Sequence, residues 1–405
     1  MTTAVSDDVV SFTQELVRVR SVFDPGSGGD ESAVAELVVA RMRELGWSPV
    51  VTEVAPGRPN VVAVVDGGGG PGPTLAFEGH LDVVTEGDRR SWTVDPYGGE
   101  ISEGRLYGRG SADMKSGVAA MIYAAHAVSE GGPFPGRIKV LVCCDEEGMM
   151  LGAKHLAASG QLADVDGVVV CEPEAGEICT CAKGALRIRV DVVGRMAHGA
   201  MPEHGRNPLT VAARLVDWCA RHQDRLQESV GRHEHLGEVY ITPTVVQGGS
   251  LDQVNVIPAV ATVALDVRTT PAVDHAALVD QLAAAADELA GAIGAEARLT
   301  VLDDRPSVEV DPDHPLVRAL SQAHRAVTGA EAVYGGVPGA TDGTILTRDA
   351  GVATVVYGPG GKWIAHQADE FVEVEEIRRA TAVLAETARQ FLGQGEWQPA
   401  GRGRG

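Results

Sequence analysis

The sequence predicts an α/β protein in which a main domain is interrupted by a smaller, ferredoxin-like insert. Three observations lead to this prediction. Apolar runs alternate with helical patterns over residues 9–172, these runs are apolar at nearly every position, and the order of elements changes to βαββαβ after residue 182. Continuously apolar strands are typical of a sheet covered on both faces, and the βαββαβ order is typical of a ferredoxin-like unit.

The first part of the main domain begins with two predicted helices. Apolar residues recur every three or four positions over residues 9–19 and again over residues 31–45, and Gly46 ends the second pattern. Strands and helices then follow one another. The predicted strands are 60–65, 74–79, 138–144 and 167–172, and the predicted helices between them are 113–129 and 151–158.

The predicted insert occupies residues 183–303 and divides the main domain into residues 1–182 and 304–392. Its elements are a strand at 187–193, a helix at 207–222, strands at 238–246 and 259–267, a helix at 274–293 and a strand at 297–302. After the insert, the main domain continues with a helix at 315–327, a strand at 352–358 and a helix at 373–392. Residues 393–405 lack periodicity, so they are predicted to be a disordered tail.

Length, charge and cysteine content limit the classes of protein to which the chain can belong. Its 405 residues suggest two domains, and its net charge of −22 argues against a nucleic-acid or anionic-membrane partner. No apolar run approaches the roughly 20 residues that span a bilayer. The N-terminus carries acids where a signal peptide needs basic residues. Six cysteines without CxxC spacing favour buried free thiols, and the sequence predicts a cytoplasmic protein.

Histidines and acids follow several of the predicted strands of the main domain. They are His80 and Asp82 after strand 74–79, Asp113 at the start of helix 113–129, Glu146 and Glu147 after strand 138–144, Glu172 at the end of strand 167–172, and His366 after strand 352–358. Sites in open α/β sheets form beyond the carboxyl ends of the strands. We therefore expect these side chains to converge at one edge of the sheet.

The types of these side chains indicate a metal site. Two imidazoles and three carboxylates suit Zn²⁺, with Co²⁺ or Mn²⁺ as alternatives. One divalent ion would leave the carboxylates repelling one another, whereas two ions about 3.5–4 Å apart could share one carboxylate. Asp113 is the best bridge. Of the neighbouring acids Glu146 and Glu147, one would bind metal and the other would accept the proton of a water whose pKa the ions lower.

Seven short motifs occur in order along the chain. They are GHLDVV (79–84), GRGSADMKSG (108–117), DEEG (145–148), CEPE (171–174), GRMAHGAMPEHGRNP (194–208), NVIPA (255–259), and GPG (358–360) with AHQADE (365–370). Together they resemble the motifs of the M20 metallopeptidase family, in particular its acetylornithine deacetylase and succinyl-diaminopimelate desuccinylase branch. The resemblance covers roughly residues 7–392. It implies a zinc-peptidase-like catalytic domain with a mixed central sheet, interrupted by a lid domain that forms a homodimer.

The resemblance also assigns roles to the polar residues of the main domain. It implies a ligand set for two Zn²⁺ ions, which is His80, Asp113 and Glu172 for one ion and Asp113, Glu147 and His366 for the other. Asp82 would orient the His80 imidazole. Glu146 would be the general base that activates water and afterwards the acid that protonates the leaving amine.

Four further residues receive roles from the same resemblance. His198 would stabilise the tetrahedral intermediate in the site of the other subunit, although a structural role is an alternative. Asn255 and Arg268 would contact a substrate carboxylate, and Arg268 could instead pair with Asp266. Thr341 would hydrogen-bond the substrate.

The sequence thus predicts a metal-dependent hydrolase that cleaves the amide bond of a small N-acetyl or N-succinyl amino acid. A carboxypeptidase or dipeptidase of the same fold, acting on a peptide-like substrate, and a tailoring amidohydrolase of secondary metabolism stay open. A non-catalytic binding protein is disfavoured because Glu146 is present. Met149 and Met150 stand where small residues are frequent in the family. They would either shape an apolar pocket or pack in the core.

Overall fold

Two compact units make up the chain in a computed structural model that describes residues 2–24, 26 and 30–393. The first unit contains the described residues up to 180 together with 310–337 and 341–393, and the second contains residues 181–309 with 338–340. The domain boundaries at residues 182, 303 and 392 stay a prediction. From residue 394 onwards, the predicted disordered tail lies outside the described residues.

Within the described residues the chain forms helices and strands in alternation. The helices are α1 (Thr2–Arg18), α2 (Ser32–Glu44), α3 (Ser116–Ser129), α4 (Leu151–Ala158), α5 (Pro208–Val230), α6 (His275–Gly291), α7 (Pro315–Thr328), α8 (Asp342–Ala350) and α9 (Val374–Leu392). The strands are β1 (Val50–Ala55), β2 (Arg58–Asp66), β3 (Thr74–His80), β4 (Ile101–Ser102), β5 (Arg105–Tyr107), β6 (Arg137–Cys143), β7 (Gly167–Val170), β8 (Ile178–Ala182), β9 (Gly184–Val193), β10 (Ala197–His198), β11 (Tyr240–Gly248), β12 (Val256–Ile257), β13 (Val260–Thr269), β14 (Glu296–Arg305), β15 (Val308–Glu309), β16 (Tyr334–Val337), β17 (Thr354–Val356) and β18 (Phe371–Glu373).

The main sheet is mixed, as the family resemblance implied. Its strand order is β1-β2-β6-β3-β7-β17-β8-β15, with β16 paired to β8. The pairs β6–β3, β3–β7 and β7–β17 are parallel, whereas β1–β2, β2–β6 and β17–β8 are antiparallel. Because the carboxyl ends of parallel strands meet at one edge of a sheet, the residues that follow β3, β6, β7 and β17 lie near one another.

The centre of the main sheet is buried, which explains its continuously apolar strands. Every position of β3 is buried, so both of its faces are covered. The helix α3 packs against α1 and α9, and α9 also packs against α7, while α4 packs against α8. Nearly all residues of α3 are buried, as expected of a helix that is apolar on all sides.

The second unit is built around a four-stranded antiparallel sheet with the order β11-β13-β9-β14. The helices α5 and α6 pack against this sheet. Alternate residues of β13 are buried, so one face of the sheet is covered. Asn207 caps α5 and Asp274 caps α6 by accepting backbone N–H bonds. The main elements of the second unit (β9, α5, β11, β13, α6 and β14) follow the predicted βαββαβ order.

Some elements differ from the prediction. The helix predicted at 113–129 begins at Ser116, because Asp113 and Met114 have non-helical backbone angles. The sequence reading missed β1, in which no residue is fully buried, and the short helix α8.

The cysteines are placed as the sequence predicted. All six cysteines are free and buried. Among the described residues, no helix combines the length and the apolar character that crossing a membrane requires.

Candidate metal centre

Three of the predicted ligands follow parallel strands of the main sheet. His80 is the last residue of β3, Glu147 comes shortly after β6, and Glu172 comes directly after the end of β7. Asp113 precedes α3, and His366 lies in the loop between β17 and β18. All five residues belong to the first unit.

The structure gathers these residues into two groups that share Asp113. In the inner group (His80, Asp113 and Glu172), the His80 Nε2 atom lies 3.2 Å from Asp113 Oδ1 and 3.3 Å from Glu172 Oε1. In the outer group (Asp113, Glu147 and His366), the His366 Nε2 atom lies 3.2 Å from Asp113 Oδ2 and 2.9 Å from Glu147 Oε1. In each group, the three ligand atoms lie within 4.8 Å of one another. The two oxygens of Asp113 therefore face different histidines.

A glycine lets the start of α3 approach the end of β7. A Cβ atom on Gly117 would lie 2.0 Å from the Cys171 carbonyl oxygen, so a larger residue would push the helix away from the strand. Since Asp113 precedes this helix and Glu172 follows Cys171, the close approach brings two carboxylates of the inner group together.

The loop that carries His366 is fixed at two places. The Lys362 Nζ atom lies 2.9 Å from Glu174 Oε2 and 2.8 Å from Glu177 Oε2. Beyond His366, the Asp369 carboxylate accepts a 2.7 Å hydrogen bond from the Thr93 backbone N–H. These contacts hold the loop on both sides of the histidine.

Asp82 contacts both His80 and the loop of neighbouring acids. The His80 Nδ1 atom lies 2.9 Å from the Asp82 carbonyl oxygen and 3.5 Å from its Oδ1 atom, so the backbone contact is the shorter one. The Asp82 carboxylate accepts 3.0 Å hydrogen bonds from the backbone N–H groups of both Glu146 and Glu147. Holding this loop is a role that the sequence reading missed.

Burial and crowding shift the pKa values of the inner group. Burial and, to a smaller extent, the Asp113 carboxylate raise the pKa of Glu172 to about 8. Burial alone would lower the pKa of His80, but Glu172 and Asp113 outweigh it and hold that pKa well above its usual value. Burial likewise opposes ionisation of Asp113, yet His366 and His80 keep its pKa below the usual range.

The pKa shifts in the outer group also show that its carboxylates stabilise positive charge. Hydrogen bonds to Asp113 and Glu147 raise the pKa of His366 to about 10. Burial and the Asp113 carboxylate raise the pKa of Glu147. Histidines held protonated between carboxylates mark places where cations are stabilised. Two divalent ions would supply this charge, and the nitrogen and oxygen donors suit Zn²⁺, Co²⁺ or Mn²⁺.

Glu146 lies beside the two groups without belonging to either. Its side chain is buried, and burial raises its pKa well above the usual value of a carboxyl group. The backbone contact to Asp82 fixes its position next to Glu147. A carboxyl group with a raised pKa is suited to exchanging protons near neutral pH.

Three buried residues behind the inner group were not singled out by the sequence reading. Ligand-type atoms of Glu78, Cys143 and Asp342 lie within 4.8 Å of one another. Burial raises the pKa of Glu78 to about 7 and that of Asp342 well above its usual range. The signal in the sequence was Glu78, a carboxyl group inside an otherwise apolar strand.

A buried ion-pair cluster fixes the first acid of the DEEG motif. Arg58 pairs with Glu31 at 2.7 Å and with Asp145 through its Nη1 atom. The Asp145 Oδ2 atom accepts hydrogen bonds from the backbone N–H groups of Met149 at 3.1 Å and Leu151 at 3.3 Å. The loop after β6 is thus held by Asp145 as well as by Asp82.

Three of the remaining predicted residues belong to the second unit. His198 and Asn255 are exposed residues of the second unit, where the Gly199 N–H donates a 2.7 Å hydrogen bond to the Asn255 carbonyl oxygen. Arg268, also in the second unit, pairs with Asp266 at 2.7 Å, which is the alternative considered for it.

Thr341 precedes α8 in the first unit. It is buried, and its hydroxyl oxygen has no hydrogen-bond partner among the described residues. Of the two methionines next to the acids, Met150 is fully buried and Met149 is 42% exposed. Met150 therefore packs in the core, whereas Met149 reaches the surface.

Comparison with known families identifies the chain. The model of peptidase family M20/M25/M40 matches residues 76–390. The chain belongs to this family. Among curated relatives, the succinyl-diaminopimelate desuccinylase of Cereibacter sphaeroides is 31% identical over 393 residues, which covers 95% of this chain and 99% of the relative. M20/M25/M40 membership makes the chain a hydrolase of amide or peptide bonds, and the matched region includes all residues of both ligand groups.

Solved structures of family members share the fold. A tripeptidase from Staphylococcus aureus has a TM-score of 0.77 at 21% identity, covering 96% of this chain and 99% of its own. A dinuclear metal-binding M20 peptidase from Bacillus subtilis has a TM-score of 0.73 at 19% identity, covering 96% and 98%. At these identities the likeness concerns the fold alone.

Proposed function

We propose that the chain is a metal-dependent deacylase that removes an acetyl or succinyl group from the nitrogen of an amino acid. The observation that carries this proposal is the sharing of Asp113, whose two carboxylate oxygens face His80 and His366 separately. Such an arrangement suits two ions bridged by one carboxylate. The 31% identity to a desuccinylase supports the acyl-amino-acid substrate.

The inner and outer groups would each hold one ion. Zn²⁺ is the proposed metal, with Co²⁺ or Mn²⁺ as alternatives, because each group offers one imidazole nitrogen and carboxylate oxygens. When bound, the ions supply Lewis-acid polarisation of the amide carbonyl and lower the pKa of the attacking water. Asp82 keeps the His80 ring oriented and holds the loop of Glu146 and Glu147 in place.

Glu146 would move the proton in this reaction. Its carboxylate accepts a proton from the attacking water and then delivers it to the amine nitrogen as the amide bond breaks. Burial of the side chain supports this role because it raises the pKa of the carboxyl group, so the proton is retained until the leaving nitrogen takes it.

The second unit would complete the enzyme as a lid. We assign to His198 the stabilisation of the negative charge on the former carbonyl oxygen, in the site of the other subunit of a homodimer. Exposed apolar residues on the edge strand β11, Val245 and Val246, support a subunit interface through this unit. Asn255, Thr341 and, once released from Asp266, Arg268 would bind the substrate. The enzyme would act in the cytoplasm.

A parallel substrate assay tests the proposal. Zn²⁺-loaded and Co²⁺-loaded enzyme is incubated with N-acetylornithine, N-succinyl-diaminopimelate and short peptides, and release of free amine is measured. We expect hydrolysis of an acylated amino acid, and a rate lower by roughly 10²–10⁴-fold for the Glu146→Gln variant. Cleavage of peptides alone would favour the alternative of a peptidase of the same family and would overturn the deacylase assignment.

A further inference from the structure

Glu370 lies four positions after His366 and is completely buried. Its backbone is fixed, because the Gly108 N–H donates a 2.9 Å hydrogen bond to the Glu370 carbonyl oxygen. The next residues form β18, which pairs with β5 in antiparallel register. The position of the Glu370 side chain is therefore set by a sheet rather than by a free loop.

The Glu370 carboxylate is surrounded by hydrogen-bond donors. Its Oε1 atom accepts bonds from the backbone N–H groups of Ala112 at 3.0 Å and Asp113 at 3.1 Å. Its Oε2 atom is paired with the Arg109 guanidinium, which is also buried. Both carboxylate oxygens thus have hydrogen-bond donors, and the buried negative charge of Glu370 is balanced by Arg109. Removing either partner would leave a buried charge unpaired.

The backbone of Asp113 needs such an external acceptor. Asp113 has φ −115° and ψ 97°, and the regular helix α3 starts only at Ser116. A helix therefore does not hold the Asp113 N–H group, and Glu370 accepts its bond instead. Since the Asp113 side chain must face His80 and His366 at once, a small displacement of its backbone would move it away from both.

We propose that Glu370 is a positioning residue that fixes Asp113 between the two ligand groups. The segment 366–370 then has two tasks: His366 supplies a ligand of the outer group, and Glu370 holds the residue that both groups share. This inference rests on the proposed dinuclear function, and it adds a residue that contacts neither metal nor substrate.

A carboxylate is required at this position for a simple reason. The Oε1 atom of Glu370 faces two N–H donors, and Oε2 faces the Arg109 guanidinium. A glutamine has one acceptor oxygen and one NH₂ donor. Whichever way the amide turns, its NH₂ group would face donors, so Asp113 or Arg109 would lose its partner.

Glu370→Gln tests this role, with Glu373→Gln as the matched control. Glu373 lies three positions further along, in β18, where it pairs with Arg105 at 2.8 Å and its side chain is 40% exposed. We measure Co²⁺ binding by titration, the visible absorption spectrum of the bound Co²⁺, and kcat and KM separately. The metal readouts do not depend on turnover.

We expect Glu370→Gln to weaken Co²⁺ binding and lower kcat by roughly 10–100-fold, with KM nearly unchanged and an altered spectrum. Glu373→Gln should behave like the unmodified enzyme. Suppose that the unmodified enzyme binds two ions and hydrolyses its substrate. If Glu370→Gln then shows the same Co²⁺ affinity and spectrum, the positioning role is overturned and the proposed function is not. Failure of the unmodified enzyme to bind metal would overturn the proposed function with it.

Arg109→Lys keeps the inference testable if Glu370→Gln does not fold. The lysine retains a positive charge next to Glu370 Oε2 but cannot form the same planar contact. We expect weaker Co²⁺ binding than in the unmodified enzyme, by a smaller factor than for Glu370→Gln. Unchanged Co²⁺ affinity and spectrum in this variant would contradict the proposal.

Discussion

The inner and outer ligand groups contain the same types of side chain but differ in their surroundings. The His80 side chain is 1% exposed, whereas the His366 side chain is 52% exposed. The inner group takes His80 and Glu172 from the ends of buried strands, and the outer group takes His366 from a loop. One group is therefore part of the sheet, and the other depends on a loop held by side-chain contacts.

This difference implies unequal binding of two ions. A buried set of carboxylates with few surrounding donors gains most from a cation, because water cannot compensate its charge. The outer group is more accessible to solvent because its histidine is half exposed, so an ion bound there would exchange more easily with water. We expect the inner ion to be the tightly held one and the outer ion to be the one lost first to chelators.

The largest expected effect concerns Glu146, which belongs to neither group. Replacing it by glutamine should lower kcat by roughly 10²–10⁴-fold, because the proton acceptor is lost, while both ions stay bound. Steady-state kinetics and metal analysis by mass spectrometry measure the two quantities. Loss of an ion from the Glu146→Gln variant would show that this residue is a ligand rather than the base.

The second prediction compares the two histidines directly. His80→Ala should remove the inner ion, about one per chain, and His366→Ala should remove the outer one. In metal-free protein, His80→Ala should also lower the free energy of unfolding by roughly 1–3 kcal/mol, because it leaves buried carboxylates without a partner.

His366→Ala should lower the free energy of unfolding by less than His80→Ala does, since the His366 side chain is half exposed and water can take its place beside Asp113 and Glu147. Metal content and urea unfolding of both variants give the comparison. Equal losses of stability in the two variants would contradict the distinction between a buried inner group and a more exposed outer group.

The smallest effect is a pH dependence of the metal-free protein. The pKa of His366 is raised to about 10 and that of Glu172 to about 8, so the folded state holds both protons more tightly than the unfolded state. The His366 contribution is complete below its unfolded value near 6.5 and is lost as the pH rises towards 10. The Glu172 contribution is lost in the same direction, between its ordinary value and about 8.

The melting temperature of chelator-treated protein should therefore decrease as the pH rises from 6.5 to 9.5. The melting temperature of the metal-loaded enzyme should decrease less, because bound ions take the place of the protons. Thermal unfolding at fixed ionic strength measures both curves. A melting temperature of the chelator-treated protein that stays constant or increases with pH would contradict the raised pKa values of His366 and Glu172.

Much of the fold and the convergence of the ligands could be predicted from the sequence. The strands that lead to His80 and Glu172 are mostly apolar, so their ends could be recognised in the sequence, and parallel strands place such ends together. The order of elements in the second unit was equally plain, because its strands and helices have clear periodicities.

The contacts that hold the ligands could not be predicted in the same way. Glu370 supports Asp113 from 257 positions away, and Arg58 pairs with Asp145 across 87 positions. No local pattern encodes such pairs. The strand β1 was missed because Thr52 and Glu53 interrupt its apolar residues. The start of α3 was misplaced because residue types do not reveal the irregular backbone of Asp113.

The loop after β6 offers a position for redesigning the enzyme. Its backbone is pinned by Asp82 and Asp145, and the latter also holds the Met149 N–H. The Met149 side chain nevertheless points outwards and is 42% exposed, one residue away from fully buried Met150. A library of side chains at position 149 would thus vary the surface next to the acids while leaving their geometry intact.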